Sequence, residues 1–278
     1  MSGIKMKRLS NNRIIVNGCS FTNGNFGTGS QTWADNLREE FSSDKNILFE
    51  NIGWKGNSND VIIPQTLEHI KNLNTDDNII VIIQLTALDR IVVDGKQSPT
   101  VTSFLKSLNW MNWAMSQNES VDSWWQDYFI NEYSEEKHIN SLLNHLLNFQ
   151  NEIKNYDNVQ YKIFCGWDIF TQNTGKSSMW DLKTKYNNIN DQLVTNLYES
   201  SQKLFDKLDL EKFWFFNNEN IHYGGLSQWV QYNVDNEHWY RNVNTNPVDY
   251  HPSDYAHERF ADKVMIPMVM DMIKNGGK

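Results

Sequence analysis

The stretch NIIVIIQL, from Asn78 to Leu85, is a nearly continuous run of apolar and mostly β-branched residues. A strand with one face in water alternates apolar and polar residues. A strand of a parallel sheet is covered by helices on both faces and stays apolar along its length. The run is therefore typical of a central strand in a parallel sheet.

Four other short runs rich in β-branched or aromatic residues also predict strands, at residues 13–17, 47–51, 159–165 and 212–216. Stretches with the apolar spacing of helices occur at residues 32–41, 59–72, about 135–156, 186–208 and 253–273. Strands that alternate with helices favour a parallel sheet, because parallel neighbours need crossover connections. We predict a single α/β domain over residues 1–278, with three α/β/α layers and about five parallel strands.

Two long segments interrupt this alternation, at about residues 91–134 and 217–250. Insertions of this length in a compact domain usually carry function or form a small cap. The first contains several of the eleven tryptophans, among them Trp124 and Trp125. These rings either pack a cap onto the domain or form a stacking wall for a flat group such as a sugar.

The composition excludes several classes of protein. A formal net charge of -9 argues against electrostatic binding to the phosphate backbone of nucleic acid over a broad surface. The two cysteines, Cys19 and Cys165, each close an apolar stretch and are expected to be buried free thiols, which fits a reducing compartment. No signal peptide or membrane-spanning run is evident, so we expect a soluble, cytoplasmic protein without a membrane partner. No motif predicts a metal or a cofactor, and the oligomeric state stays open.

Three spaced blocks carry residues that could act together at the carboxyl ends of the strands, where ligands bind in open parallel sheets. Ser20 follows the first strand in NGCSFT, and Gly56 lies in the loop after the second strand, in NIGWKGNSND. His251 precedes Pro252 in VDYHPSDYAHERFA and lies at the entrance of the last helix. A hydroxyl, a backbone donor and an imidazole are the parts that nucleophilic acyl transfer requires.

The ordered set NGCSFT, NxGxxG and DxHPS resembles the SGNH/GDSL hydrolase superfamily, over about the first ninety and the last thirty residues. The resemblance implies a flavodoxin-like α/β/α fold and hydrolysis of acyl esters. By the same resemblance, Ser20 is the nucleophile, His251 is the general base, and the N–H groups of Ser20 and Gly56 form the oxyanion hole. Cys19 stands where the family often has an aspartate and is expected to pack beside the nucleophile.

Two positions depart from the family pattern. The third family block usually ends in Asn-Asp, but here Leu88 replaces the asparagine whose side chain completes the oxyanion hole. Either Asn57, Asn59 or Thr86 supplies this donor, or the hole is weaker, since one lost donor typically costs ~10²–10³ in rate. The family's Asp-x-x-His is shortened to Asp-x-His, so either Asp249 or a backbone carbonyl orients the His251 ring.

Arg90 follows the third strand and has two possible roles. It could hold an acidic group of a substrate, or it could form a structural ion pair with Asp89 or Asp60. His257 lies six residues after His251 and is expected to be structural rather than half of a metal site.

The sequence as a whole predicts a serine esterase acting on a small-molecule or carbohydrate ester, with Thr86, Arg90, Trp124 and Trp125 as candidate substrate contacts. The alternatives are an acyltransferase that uses the same site and a catalytically decayed module of this fold that binds a glycan or a protein.

Overall fold

A computed structural model describes residues 11–24, 30–73, 76–88, 90, 92–93, 96–97, 128, 131–166, 169–170, 199–219, 221–242 and 249–275. Within these ranges the side chains of residues 93, 96, 97, 135, 242, 249 and 250 are not described. All structural statements below concern this part of the chain.

Five parallel strands form the central sheet. They are β1 (Asn12–Asn17), β2 (Ile47–Asn51), β3 (Asn78–Leu85), β6 (Val159–Cys165) and β7 (Phe213–Trp214). Their order is β2-β1-β3-β6-β7, with β3 in the centre, and every pairing is parallel. Counted within the sheet alone this is the order 2-1-3-4-5, which is the flavodoxin-like order. The predicted fold class is confirmed.

Helices flank this sheet. They are α1 (Trp33–Phe41), α2 (Asn59–Asn72), α3 (Glu135–Ile153), α4 (Glu199–Phe205), α5 (Leu226–Asn233), α6 (Asp254–Phe260) and α7 (Ile266–Asn275). A π-helical segment, Ala261–Met265, joins α6 to α7. One group is formed by α1 with α6 and the π segment, and another by α2, α3 and α4 packed in series. All residues of β3 from Ile79 to Leu85 are buried, as expected for a strand covered on both faces.

The predicted elements agree with the structure except at their ends. The helix predicted for residues 59–72 has those bounds, and the helix predicted at 135–156 ends at Ile153. The strand predicted at 212–216 pairs only at Phe213–Trp214, because Phe216 instead bridges Gly224 in antiparallel fashion. Of the helix predicted at 186–208, residues 186–198 lie outside the described residues.

The second insertion adds a small antiparallel hairpin to the fold. Its strands are β8 (Tyr240–Asn242) and β9 (Asp249–Pro252), and α5 precedes them. Most of the first insertion lies outside the described residues. Its described part comprises the short pair β4 (Val92–Val93) and β5 (Lys96–Gln97), residue 128 and residues 131–134. None of the described helices is long and apolar enough to cross a membrane.

Candidate active site

Ser20 lies in a tight turn at the carboxyl end of β1. The carbonyl of Cys19 accepts hydrogen bonds from the N–H groups of Thr22 (2.9 Å) and Asn23 (3.0 Å), which closes the turn around Ser20. The buried side chain of Asn17 anchors the start of this loop. Its Oδ1 accepts from the Gly18 N–H (2.8 Å), while its Nδ2 donates to the Ile62 carbonyl of α2 (3.0 Å). Strand and helix together thus fix the position of Ser20.

The loop after β2, which carries Gly56, is bound directly to the loop after β1, residues 18–24, which we call the serine loop. The Trp54 N–H donates to the Gly18 carbonyl (3.1 Å), and Asn23 Nδ2 donates to the Gly53 carbonyl (2.7 Å). Asn51 Nδ2 donates to the Thr22 carbonyl (2.9 Å). These three hydrogen bonds join the serine loop to the end of β2 and to the loop that follows it, so the two predicted site segments are held together.

His251 reaches this frame from the other end of the chain. Its Nε2 lies 2.9 Å from Ser20 Oγ, although 231 residues separate the two in sequence. In the β8–β9 hairpin, Tyr240 pairs with Pro252 and Asn242 pairs with Asp249. Three residues of β8 therefore face four residues of β9, and the extra residue of β9 forms a bulge beside His251. A bulge of this kind commonly redirects a side chain next to an active site. The structure therefore brings together the two side chains that the sequence pairs, and their roles as nucleophile and base stay predictions.

An aromatic ring packs edge-on against His251. The Phe21 ring centroid lies 5.5 Å from that of His251 and 6.2 Å from that of His257 on α6, both in edge geometry. His257 is fully buried, and neither of its ring nitrogens has a hydrogen-bond partner in the described part of the chain. Burial, with the charges of Arg241 and His251 nearby, holds the pKa of His257 well below its ordinary value of 6.5. His257 is therefore a neutral packing residue, as the sequence predicted.

The predicted oxyanion donors differ in the hydrogen bonds that they make within the protein. The N–H of Ser20 makes no hydrogen bond to any other described residue, and neither does the side-chain amide of Asn57. Gly56 is buried and has a φ of 81°, which favours glycine there. Asn59 is engaged at both ends of its amide, because its Nδ2 donates to the Thr86 carbonyl (2.9 Å) and its Oδ1 accepts from the Thr86 N–H (2.8 Å). Asn59 thus fastens the end of β3 to the start of α2.

The candidate substrate contacts after β3 are buried. Thr86 and Leu88 lie within the core, and Arg90 is also buried, with 7% of its surface exposed. The positive charge of Arg90 acts on Cys19. Burial raises the pKa of the Cys19 thiol, but Arg90 and a backbone hydrogen bond from Phe21 bring that pKa below its ordinary value. The structure confirms that Cys19 and Cys165 are buried free thiols.

Several predicted site residues lie outside the described part of the structure. They are Trp124, Trp125, Asp89 and the side chain of Asp249, so the acid of the triad and the aromatic wall stay predictions. Among the described residues, no group of three or more His, Cys, Asp or Glu side chains is placed to hold a metal ion.

Two residues at the site were missed by sequence reasoning. Trp54 is 62% exposed on the loop that carries Gly56, which is unusual for so large an apolar side chain. Gln84 is fully buried in β3. A polar residue within an apolar strand was the available signal for Gln84, since burying an amide is costly unless it is hydrogen-bonded.

The comparisons with known proteins give structural likeness alone. No protein-family model and no curated protein sequence matches the chain. Among solved structures it is similar to a GDSL-like lipase from Parabacteroides merdae, with 14% identity and a TM-score of 0.41 over 91% of this chain and 93% of that one. It is also similar to the psychrotrophic esterase EstA from Pseudoalteromonas sp., with 11% identity and a TM-score of 0.44 over 95% and 100% of the two chains. A third is the protein YXIM from Bacillus subtilis, with 11% identity and a TM-score of 0.44 over 91% of this chain and 55% of that one.

Two of these three proteins are named as a GDSL-like lipase or an esterase. Identities of 11–14% transfer neither a residue role nor a substrate, so the function is inferred from the geometry of the site itself.

The buried, neutral His257 predicts acid sensitivity of the fold. Below pH 6.5 its imidazole takes up a proton in the unfolded chain but not in the folded one, so the unfolded state gains stability as the pH falls. The free energy of unfolding is expected to fall by about 1 kcal/mol per pH unit more in the wild type than in His257→Leu. Urea unfolding of both proteins at pH 7.5, 6 and 5 measures this difference.

A substitution at an exposed histidine serves as the control for that experiment. His222→Leu is expected to follow the wild-type curve, since its ring is in water before and after unfolding. Parallel curves for wild type and His257→Leu would contradict the prediction.

Proposed function

We propose that the protein is a serine esterase in which Ser20 attacks the carbonyl carbon of an ester. The single observation that carries this proposal is the 2.9 Å separation between Ser20 Oγ and His251 Nε2. A free hydroxyl is a weak nucleophile, and an imidazole at hydrogen-bond distance is the group that activates it. The pair lies at the carboxyl end of β1, where ligands bind in open parallel sheets.

In the first half of the reaction, Ser20 Oγ forms a bond to the carbonyl carbon while its proton passes to His251 Nε2. The carbonyl oxygen becomes an oxyanion, which the N–H groups of Ser20 and Gly56 and the amide of Asn57 stabilise. When the intermediate collapses, the bond to the alcohol breaks and His251 returns the proton to the leaving oxygen. The product of this half is an acyl-serine and a free alcohol.

In the second half, water takes the place of the alcohol. His251 accepts a proton from water as the water oxygen bonds to the acyl carbon, and it then returns a proton to Ser20 Oγ as the acid leaves. Asp249, two residues before His251, is the acid we assign to orient the imidazole. An acyltransferase would differ in this half alone, with an acceptor alcohol in place of water.

Removal of the Ser20 hydroxyl is expected to abolish the reaction. Ser20→Ala should reduce hydrolysis of a short-chain aryl ester by at least about 10³-fold, since the covalent intermediate cannot form. A fluorophosphonate probe should label Ser20 of the wild type, located by peptide mass spectrometry, and should not label the variant. Ser42→Ala, at the exposed end of α1, is the matched control and should retain both activity and labelling.

Each outcome of this experiment selects one of the candidate functions. A folded wild-type protein with neither activity nor labelling would overturn the esterase proposal in favour of a decayed binding module. Activity that survives in Ser20→Ala would show that another residue is the nucleophile. Transfer of the acyl group to an added alcohol, in preference to water, would identify an acyltransferase.

We assign to Asn57 the side-chain donor of the oxyanion hole, because Leu88 replaces the asparagine that supplies this donor in the family pattern. Asn57 is buried beside Gly56, and its amide has no partner among the described residues, whereas the amide of Asn59 holds Thr86. Asn57→Ala is expected to lower kcat by ~10²–10³-fold with a small effect on KM, as for the loss of one oxyanion donor.

Steady-state kinetics with the same aryl ester measure the effect. Asn72→Ala, at the exposed C-terminal end of α2, is the control. Equal kcat values in Asn57→Ala and the wild type would exclude Asn57 from the oxyanion hole.

The substrate we propose is an ester on a carbohydrate, such as an O-acetyl group on a sugar ring. Trp54 supports this choice, because its indole is 62% exposed in a loop whose backbone is bound to Gly18, two residues before Ser20. A flat aromatic face can stack on the apolar face of a sugar ring, and a tryptophan offers a large apolar area for that contact.

Substitution of Trp54 is expected to affect sugar esters alone. Trp54→Ala should raise KM for an acetylated xyloside about 10-fold and leave KM for vinyl acetate unchanged, since the two share an acyl group and differ in the alcohol. Leu48→Ala, at another exposed apolar position (43%) near the start of β2, is the control and should change neither value. Equal effects of Trp54→Ala on both substrates would contradict a sugar-binding role.

A further inference from the structure

A polar side chain lies at the centre of the sheet, beneath the serine loop. Gln84 is the penultimate residue of β3, the middle strand, and is fully buried among apolar neighbours. An amide in such a place destabilises the fold unless its hydrogen bonds are made, and an apolar residue of similar size would pack there without that cost. Its presence indicates a task other than packing.

The amide of Gln84 binds the serine loop at two points. Its Oε1 accepts a hydrogen bond from Thr22 Oγ1 at 2.9 Å, and the Cys19 thiol lies 3.5 Å from Oε1 and 3.4 Å from Nε2. Its Nε2 also donates to the Leu85 carbonyl at 2.9 Å, which holds the amide to its own strand. Cys19 and Thr22 stand on either side of Ser20 in the turn, so Gln84 holds both flanks of the nucleophile.

The strands on both sides of β3 leave room for this amide. A Cβ at Gly18, after β1, would lie 2.9 Å from Gln84 Oε1 and 2.2 Å from Thr22 Oγ1. A Cβ at Gly166, after β6, would lie 2.6 Å from Gln84 Nε2. Both distances to the amide are shorter than real Cβ atoms show, so side chains at these glycines would displace the Gln84 amide. Two glycines from different strands therefore accommodate one buried side chain.

We propose that Gln84 is a positioning residue for the nucleophile: through Thr22 and Cys19 it holds the turn that directs Ser20 Oγ toward His251 Nε2. The inference rests on the proposed esterase function and deepens it. A misplacement of about 1 Å in an active site can cost about 10²-fold in rate. The loss of this anchor is therefore expected to appear in kcat, because Gln84 is too deeply buried to contact substrate.

The test compares Gln84→Met with the wild type in ester hydrolysis. Methionine keeps the length and volume of the side chain and removes its hydrogen bonds. We expect kcat to fall about 10- to 100-fold and KM to change by less than about 2-fold. Thr22→Val should show a smaller fall in kcat of the same kind, and Thr22→Ser, which keeps the hydroxyl, should restore the wild-type value.

The matched control is Gln150→Met. Gln150 of α3 is also buried, and its amide makes two hydrogen bonds to the backbone of Asp209, at 3.1 and 3.0 Å. Asp209 lies just before the amino end of β7, whereas the serine loop follows the carboxyl end of β1. The control therefore lies at the opposite ends of the parallel strands. Gln150→Met should lower the melting temperature comparably to Gln84→Met but leave kcat within about 2-fold. A folded Gln84→Met with wild-type kcat, or an equal loss of kcat in Gln150→Met, would overturn the proposal.

A second measurement separates this inference from the proposed function. If the wild type neither hydrolyses esters nor reacts with a fluorophosphonate, the esterase proposal fails, and the crystal structure of Gln84→Met still decides the role of Gln84. We expect Ser20 Oγ to move at least about 1 Å from its place beside His251 Nε2. A pair that keeps its 2.9 Å separation in the variant would overturn the positioning role.

Discussion

The site depends on one constraint, which is that the backbone must find hydrogen-bond partners where the parallel strands end and the sheet no longer supplies them. Buried backbone groups left without partners cost about 1–3 kcal/mol each. Three asparagines meet this need. Asn17 accepts from the Gly18 N–H after β1, Asn51 accepts from the Gly53 N–H after β2, and Asn59 binds both backbone groups of Thr86 after β3. The same side chains that satisfy the strand ends therefore hold the loops of the site.

This arrangement explains how loops can present a defined geometry. The serine loop is bound to the loop after β2 that carries Gly56, to α2 through Asn17, and to the central strand through Gln84. His251 comes from a separate hairpin whose bulge lies beside it, and its ring packs on Phe21 of the serine loop. Ser20 and His251 thus share one packed neighbourhood, although they come from opposite ends of the chain. Precise placement of reacting groups contributes strongly to catalysis, and for the proposed reaction buried hydrogen bonds and packing supply that placement.

Much of the fold could be predicted because its signals are local. The apolar run of β3 and the spacing of α2 each follow from patterns within a dozen residues. The pairing of Ser20 with His251 could also be predicted, since the order of three motifs along the chain carried it. The role of Asn59 could not, because an asparagine at the start of a helix has the same appearance in the sequence whether it faces a substrate or binds Thr86. Gln84 was missed for a related reason: its partners Thr22 and Cys19 lie more than sixty residues away.

The choice between the adjacent Cys19 and Ser20 shows why geometry outweighs acidity at this site. Against the effect of burial, the charge of Arg90 holds the pKa of Cys19 below its ordinary value, and a cysteine of lowered pKa is in general the more reactive of the two residue types. Its sulfur is nevertheless fully buried and faces the amide of Gln84, so an ester carbonyl cannot approach it. Ser20 Oγ lies 4.0 Å from that sulfur and 2.9 Å from His251 Nε2. The polar contacts of Cys19 hold the turn in place, and in that turn Ser20 Oγ lies 2.9 Å from the imidazole of His251.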